Sequence, residues 1–115
     1  MVMELTDSED AKLVVLARAS RARAKANDGA AVRDTDGRTY AAVCVDLPTL
    51  QLSALQVAVA MALSSGVTGL EAAAVVTDAL SIETSDTTVV RDFAGPDVPV
   101  YRADSSGTVL DVFRT

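Results

Sequence analysis

Few residues in this chain of 115 could do chemistry, and their types narrow the choice at once. Four carboxylates, Asp46, Asp78, Glu83 and Asp86, stand in segments that read as loops or helix starts. Oxygen donors of that kind suit hard cations such as magnesium or calcium, although acidic groups in such places are commonly just solvated or stabilised by a helix dipole. Ser53 begins a helical pattern, where a hydroxyl serves either as a nucleophile or as a cap. The chain contains no histidine to act as its base, which favours the cap. Cys44, the single cysteine, sits in an apolar strand-like run and reads as a small core residue rather than a reactive thiol. Arg18, Arg21 and Lys25 share one face of a helical pattern and form a candidate basic patch, with Arg23 close by. No aromatic residue interleaves with them, so nucleic acid is disfavoured as their partner. A catalytic zinc requires about three nitrogen or sulfur ligands. Zero histidines and one cysteine do not supply them.

The elements that must position these residues follow from patterning. Thr6-Asp7-Ser8-Glu9 has the form of a capping box and predicts a helix to about Lys25, with Leu13, Leu16, Ala17, Ser20 and Ala24 at helical spacing. Asn27-Asp28-Gly29 ends it with residues that tolerate left-handed dihedrals. Strands over 29–33 and 39–45 are joined by the hairpin turn Asp34-Thr35-Asp36-Gly37. Pro48-Thr49 leads into a second helix that runs to Ser65; it is uncharged on every face and should be covered on most sides. Residues 72–77 form a continuous small apolar run, as in a central strand buried on both faces. A short helix capped by Ser85-Asp86 runs through Phe93, and strands over 98–102 and 108–113 close the chain. Their connection is too short for a parallel crossover, so the last pair is antiparallel.

The second helix carries the most specific signal. Ser53-Ala54-Leu55-Gln56-Val57-Ala58-Val59-Ala60-Met61-Ala62-Leu63-Ser64-Ser65-Gly66 resembles the active-site helix of cytidine deaminases, Cys-Ala-Glu-x-x-Ala-Val-x-x-Ala-Leu-Ser-x-Gly. Gly29-Ala30-Ala31-Val32, Asp36-Gly37-Arg38 and the run from Pro96 to Tyr101 are similar to other family segments, in the right order. The resemblance, to the nucleoside, tetramer-forming type, implies an α/β three-layer α-β-α fold with a five-stranded mixed sheet over a single domain, 1–115. It also implies degenerate catalytic positions. Ser53 stands where the family has a zinc-ligating cysteine, and Leu55 where it has the glutamate that shuttles protons. The second zinc motif, Pro-Cys-Gly-x-Cys, falls near 82–88, where there is no cysteine. Any remaining ligand pocket would be formed by Cys44, Asp46, Ser53, Gln56, Glu83 and Thr84, with no metal and no cofactor expected.

Composition sharpens these expectations. A net charge of −6 opposes long-range attraction to nucleic acid or an anionic membrane. Leu47 to Leu70 is uncharged over 24 residues but too interrupted by polar residues and glycine to read as a membrane span. One cysteine and an acidic N-terminus suit a cytoplasmic location. A mean hydropathy of +0.28 is high for a small monomer, and burial between subunits is its simplest outlet. The expected protein is a non-catalytic cytidine deaminase-like interaction or regulatory module, a dimer or tetramer, with an unidentified protein partner allowed. The alternative is a nucleoside or nucleotide sensor without turnover. An active deaminase, or a hydrolase using a carboxylate-bound metal, is the least favoured reading.

Overall fold

A computed structural model describes residue 5 and residues 7–115. The order of elements is α1 (Ser8–Ala24), β1 (Gly29–Asp34), β2 (Thr39–Val43), β3 (Val45–Leu47), β4 (Leu50–Leu52), α2 (Ala54–Ser64), β5 (Leu70–Val76), α3 (Thr84–Ala94), β6 (Pro99–Ala103) and β7 (Val109–Arg114). Five strands form one sheet in the order β2-β1-β5-β6-β7, in which only β5 and β6 run parallel. β5 is buried along nearly its whole length, as its small apolar run demands. Alternation along the strands sends Ala30, Val32, Ala73, Val75 and Val100 to one face, where α2 and α3 pack. Ala31, Ala72, Ala74, Val76, Tyr101 and Ala103 point to the other, covered by Leu13, Val14 and Ala17 of α1. The result is the expected three-layer α-β-α sandwich with a mixed five-stranded sheet. No helix among the described residues is long and apolar enough to cross a membrane.

Alanine-rich faces let helix and sheet approach closely, and Gly29 marks the limit. A Cβ there would lie 2.1 Å from the carbonyl oxygen of Ala17 on α1. The close approach therefore requires glycine, and the left-handed turn foreseen at Asn27-Asp28-Gly29 falls instead on Lys25 (φ 53°, ψ 41°). Thr6 lies outside the described residues. The cap of α1 is Asp7, whose side chain accepts from the amides of Glu9 and Asp10.

Two other expectations need correction. The second strand does not run through Val45: it stops at Val43, and a separate two-stranded hairpin, β3–β4, follows. Pro48-Thr49 is the turn of that hairpin rather than the approach to α2, a role to which a fixed proline φ is suited. Cys44 is consequently half-buried at the break between two strands, not within one. The helix α2 is covered on one face only: Ala54, Leu55, Ala58, Val59 and Ala62 are buried, while Met61 and Leu63 are 41% and 56% exposed.

Polar groups pin the layers on both faces of the sheet. Asp34, wholly buried, accepts from the amides of Asp36 and Arg38 and from the Tyr40 hydroxyl, which fixes the β1–β2 turn. Burial pushes its carboxyl up, but those hydrogen bonds outweigh it and leave the pKa below the usual value. Beneath α1, Arg33 on β1 bonds Asp10 at 2.8 Å and Glu71 at 2.9 Å, while the Tyr101 hydroxyl donates to Asp10 at 2.6 Å. Burial works against the Arg33 charge, yet the hydrogen bonds to Glu71 and Asp10 raise its pKa overall. Burial, then the neighbouring Asp10, pushes the Tyr101 phenol up to about 12.

Candidate functional site

The starts of α2 and α3 meet on the sheet face opposite α1. Ser53 caps α2 through a reciprocal box: its Oγ accepts from the Gln56 amide at 3.1 Å, and its own amide donates to Gln56 Oε1 at 2.9 Å. The hydroxyl proton is spent elsewhere. Ser53 Oγ donates to Asp86 Oδ1 at 2.6 Å, joining the two helix starts across 33 positions of sequence. Asp86 is only 7% exposed, so it lies turned inward and does not cap α3. That cap position belongs to Glu83, which makes no side-chain capping bond. Burial raises the Asp86 pKa, the bond from Ser53 partly offsets this, and Glu83 and Asp28 raise it further.

Leu55 is 0% exposed and belongs to the main core with Val59, Val90 and Val100. A side chain locked there by packing presents no polar atom. Glu83 and Thr84 are exposed at the start of α3, and Asp46 is exposed on β3 opposite Gln51. Among the described residues the side chains of Cys44, Asp46, Glu83 and Thr84 make no hydrogen bond, so bonding unites only Ser53 and Gln56 of the six expected pocket residues. Their third member is Asp86, which the sequence offers as a cap of the third helix and as one of four candidate carboxylates near the same place, but not among the six pocket residues. The available signal was the family resemblance, which sets residues 82–88, Asp86 among them, against the second zinc motif. Asp78, another carboxylate singled out from sequence, is taken by Arg21 at 2.9 Å. Among the described residues no three side chains of metal-ligating type gather as a site.

The expected basic patch lies across the sheet, on α1. Arg18 Nε donates to the Ser105 carbonyl at 3.0 Å, and Arg21 Nε to that of Asn27 at 2.8 Å. With Lys25 these residues line one cavity of about 350 Å3, which adjoins a second of about 370 Å3; a third of about 200 Å3 lies near Ile82 and Phe113. None of the three is lined by any of the six expected pocket residues.

A mixed sheet thus lies between α1 and an α2–α3 pair, with the starts of α2 and α3 joined by the Ser53–Asp86 bond. The chain belongs to the cytidine deaminase-like family, whose model matches residues 6–107. Among solved structures it is similar to the cytidine deaminase of Burkholderia pseudomallei (TM-score 0.75, 23% identity, covering 90% of this chain and 89% of that one). It is also similar to the enzyme of Mycobacterium leprae (0.69, 22%, 90% of each chain). A point variant of the Mycobacterium tuberculosis enzyme resembles it as well (0.68, 23%, 84% and 85%). At these identities the likeness speaks for the fold. No curated protein is a significant match. The zinc that the family resemblance implies does not fit these residues. Around Ser53 stand a hydroxyl committed to a carboxylate and further oxygen donors, with no imidazole in the whole chain.

Proposed function

We propose that this chain is a non-catalytic member of its family, a single domain over 1–115 that acts as an oligomeric interaction or regulatory module. The observation that carries the reading is the Ser53–Asp86 bond beside a core-locked Leu55. Where a zinc-bound hydroxide and a proton-shuttling carboxylate would be needed, the residues offer a closed hydrogen bond and a methyl-bearing side chain. Without a metal, water keeps a pKa near 15.7 and supplies almost no hydroxide at neutral pH. The single half-buried cysteine suits a reducing cytoplasm.

The outer face of α2 supports the oligomeric part. Met61 and Leu63, with exposed Ala60 between buried turns, form an uncharged strip, and Leu47 and Leu50 add exposed apolar surface on the neighbouring β3–β4 hairpin. In the resembling enzymes the equivalent helix lies near subunit junctions, and a second copy of this chain is the occupant proposed here.

Two measurements test the reading together. Elemental analysis of purified protein should find no stoichiometric zinc, and cytidine incubated with it should remain unconverted. Light scattering across concentrations should find a dimer or tetramer. Ammonia release from cytidine at an enzyme-like rate, free of contaminating deaminase, overturns the non-catalytic part. A persistent monomer of 11.9 kDa overturns the oligomeric part. A saturable rise in melting temperature with nucleosides transfers support to a sensor without turnover.

A further inference from the structure

Two cavities sit side by side where α1 meets the β6–β7 turn; both mix polar and apolar lining, and they differ in that three cations gather around one of them. The larger, about 370 Å3, has an apolar floor that includes Leu5, Val14, Val15 and Val109. The smaller, about 350 Å3, is lined by Arg18, Arg21 and Lys25 together with Ser105. Arg18 is the shared wall. Its Nε is tied to the Ser105 carbonyl at 3.0 Å, so the guanidinium is held in place while Nη1 and Nη2 have no partner among the described residues. Gly107 gives it room: a Cβ there would lie 3.3 Å from Arg18 Cδ, at a φ of +86° that side chains rarely adopt.

The positive charge is concentrated. Four of the ten cations in a chain of net charge −6 fall between residues 18 and 25. Neither Arg18 nor Lys25 has a carboxylate within ion-pair distance among the described residues. Two acidic groups border the chamber. Asp78 pairs with Arg21 at 2.9 Å and is 77% exposed, so solvent weakens its hold on that charge. Asp104 is engaged by its own turn, accepting from Ser106 and Thr108. Lys25 occupies the left-handed region where glycine is the usual residue, so a long cation is kept at a strained helix end that opens on this cavity.

We propose that the paired chambers bind a small organic phosphate, its phosphoryl group held by Arg18, Arg21 and Lys25 and its apolar body seated against Val14, Val15 and Val109. Three cations around one space match a dianion better than a carboxylate, and the open fork of Arg18 offers two parallel donors to phosphoryl oxygens. Neither lining contains an aromatic side chain, which disfavours the base stacking that single-stranded nucleic acid requires. The volumes suffice for a ring or a short chain beside its phosphate. This site is independent of the reading of Ser53 and Asp86, and either one stands if the other fails.

Phenyl phosphate, inorganic phosphate and benzyl alcohol, titrated into the isotope-labelled full chain, test the proposal. Phenyl phosphate should shift amide resonances of residues 14–26 and 105–109 saturably, and bind more tightly than either of the other two. Arg18→Gln and Lys25→Gln should each weaken it about tenfold, the loss expected for one charge-assisted contact. Val15→Gln, an uncharged polar change at an exposed position, should weaken phenyl phosphate while sparing inorganic phosphate. Lys25→Gly relieves the left-handed strain and should raise the melting temperature while weakening binding, which separates ligand loss from misfolding. Equal affinity for phenyl and inorganic phosphate, shifts confined to other residues, or wild-type affinity in Arg18→Gln overturns the proposal.

Discussion

Replacing Ser53 by alanine isolates the bond that joins α2 to α3. The substitution removes a helix cap, worth about 1 kcal/mol, and the donor to a buried carboxylate, worth about 2 kcal/mol. The sum is about 3 kcal/mol, and for a domain near 100 residues it lowers the melting temperature by about 12 °C. Asp86→Asn keeps an acceptor for the Ser53 hydroxyl and removes the buried charge, so it should stay within about 1 kcal/mol of wild type at neutral pH. In that background Ser53→Ala should cost at least about 1 kcal/mol less, because no charge is left unpaired. The pH dependence has a definite sign. The folded pKa of Asp86 is raised, so its contribution to stability is fully present below the unfolded value and is lost as pH rises through the folded value. The melting temperature of Asp86→Asn relative to wild type should therefore be highest near pH 7 and fall toward pH 4. Thermal unfolding followed by circular dichroism checks each step. A Ser53→Ala cost below about 0.5 kcal/mol, strict additivity, or a gap that widens on acidification refutes the reasoning.

Three further outcomes are expected. Gly29→Ala drives a methyl into the Ala17 carbonyl, 2.1 Å away, and should cost about 3 kcal/mol, the upper end for overpacking, measured by urea denaturation. Tyr101→Phe removes a donor to Asp10; because the folded phenol titrates at about 12 against 10 when unfolded, its contribution holds below pH 10 and is lost as pH rises through 12. The wild-type advantage over Tyr101→Phe should therefore decline across that interval in alkaline melts. Leu63→Glu, at a position 56% exposed, should shift light scattering toward the monomer while changing unfolding stability in the dissociated state by no more than about 0.5 kcal/mol.

Much of the fold was legible because its rules are local. Small apolar runs at 29–32 and 72–76, too short for helices and bounded by turn residues, read as strands buried beneath helices, and the uncharged pattern after Ser53 has helical period. The short connection before Val109 forces the antiparallel pair β6–β7. The β3–β4 hairpin was missed because its leucines point outward, so hydrophobicity there does not report burial. The end of α1 falls where the spacing puts it, but the left-handed position went to Lys25 rather than to Asn27 or Gly29, which suit it better by type. The close approach of α1 to β1 had claimed Gly29 for another purpose.

The candidate site divides in the same way. Sequence alone counts zero imidazoles and one thiol, fewer soft donors than the three a catalytic zinc requires, and that count needs no coordinates. It also located Ser53 as a cap and clustered Arg18, Arg21 and Lys25 on one helical face. Only the tertiary structure decided that Asp86 turns inward to Ser53 and that Arg18 forms the wall shared by the two chambers. Both are contacts between residues 33 and 87 positions apart. Residue type limits which partners a side chain accepts, whereas the packing of helices on the sheet determines which partner is within reach.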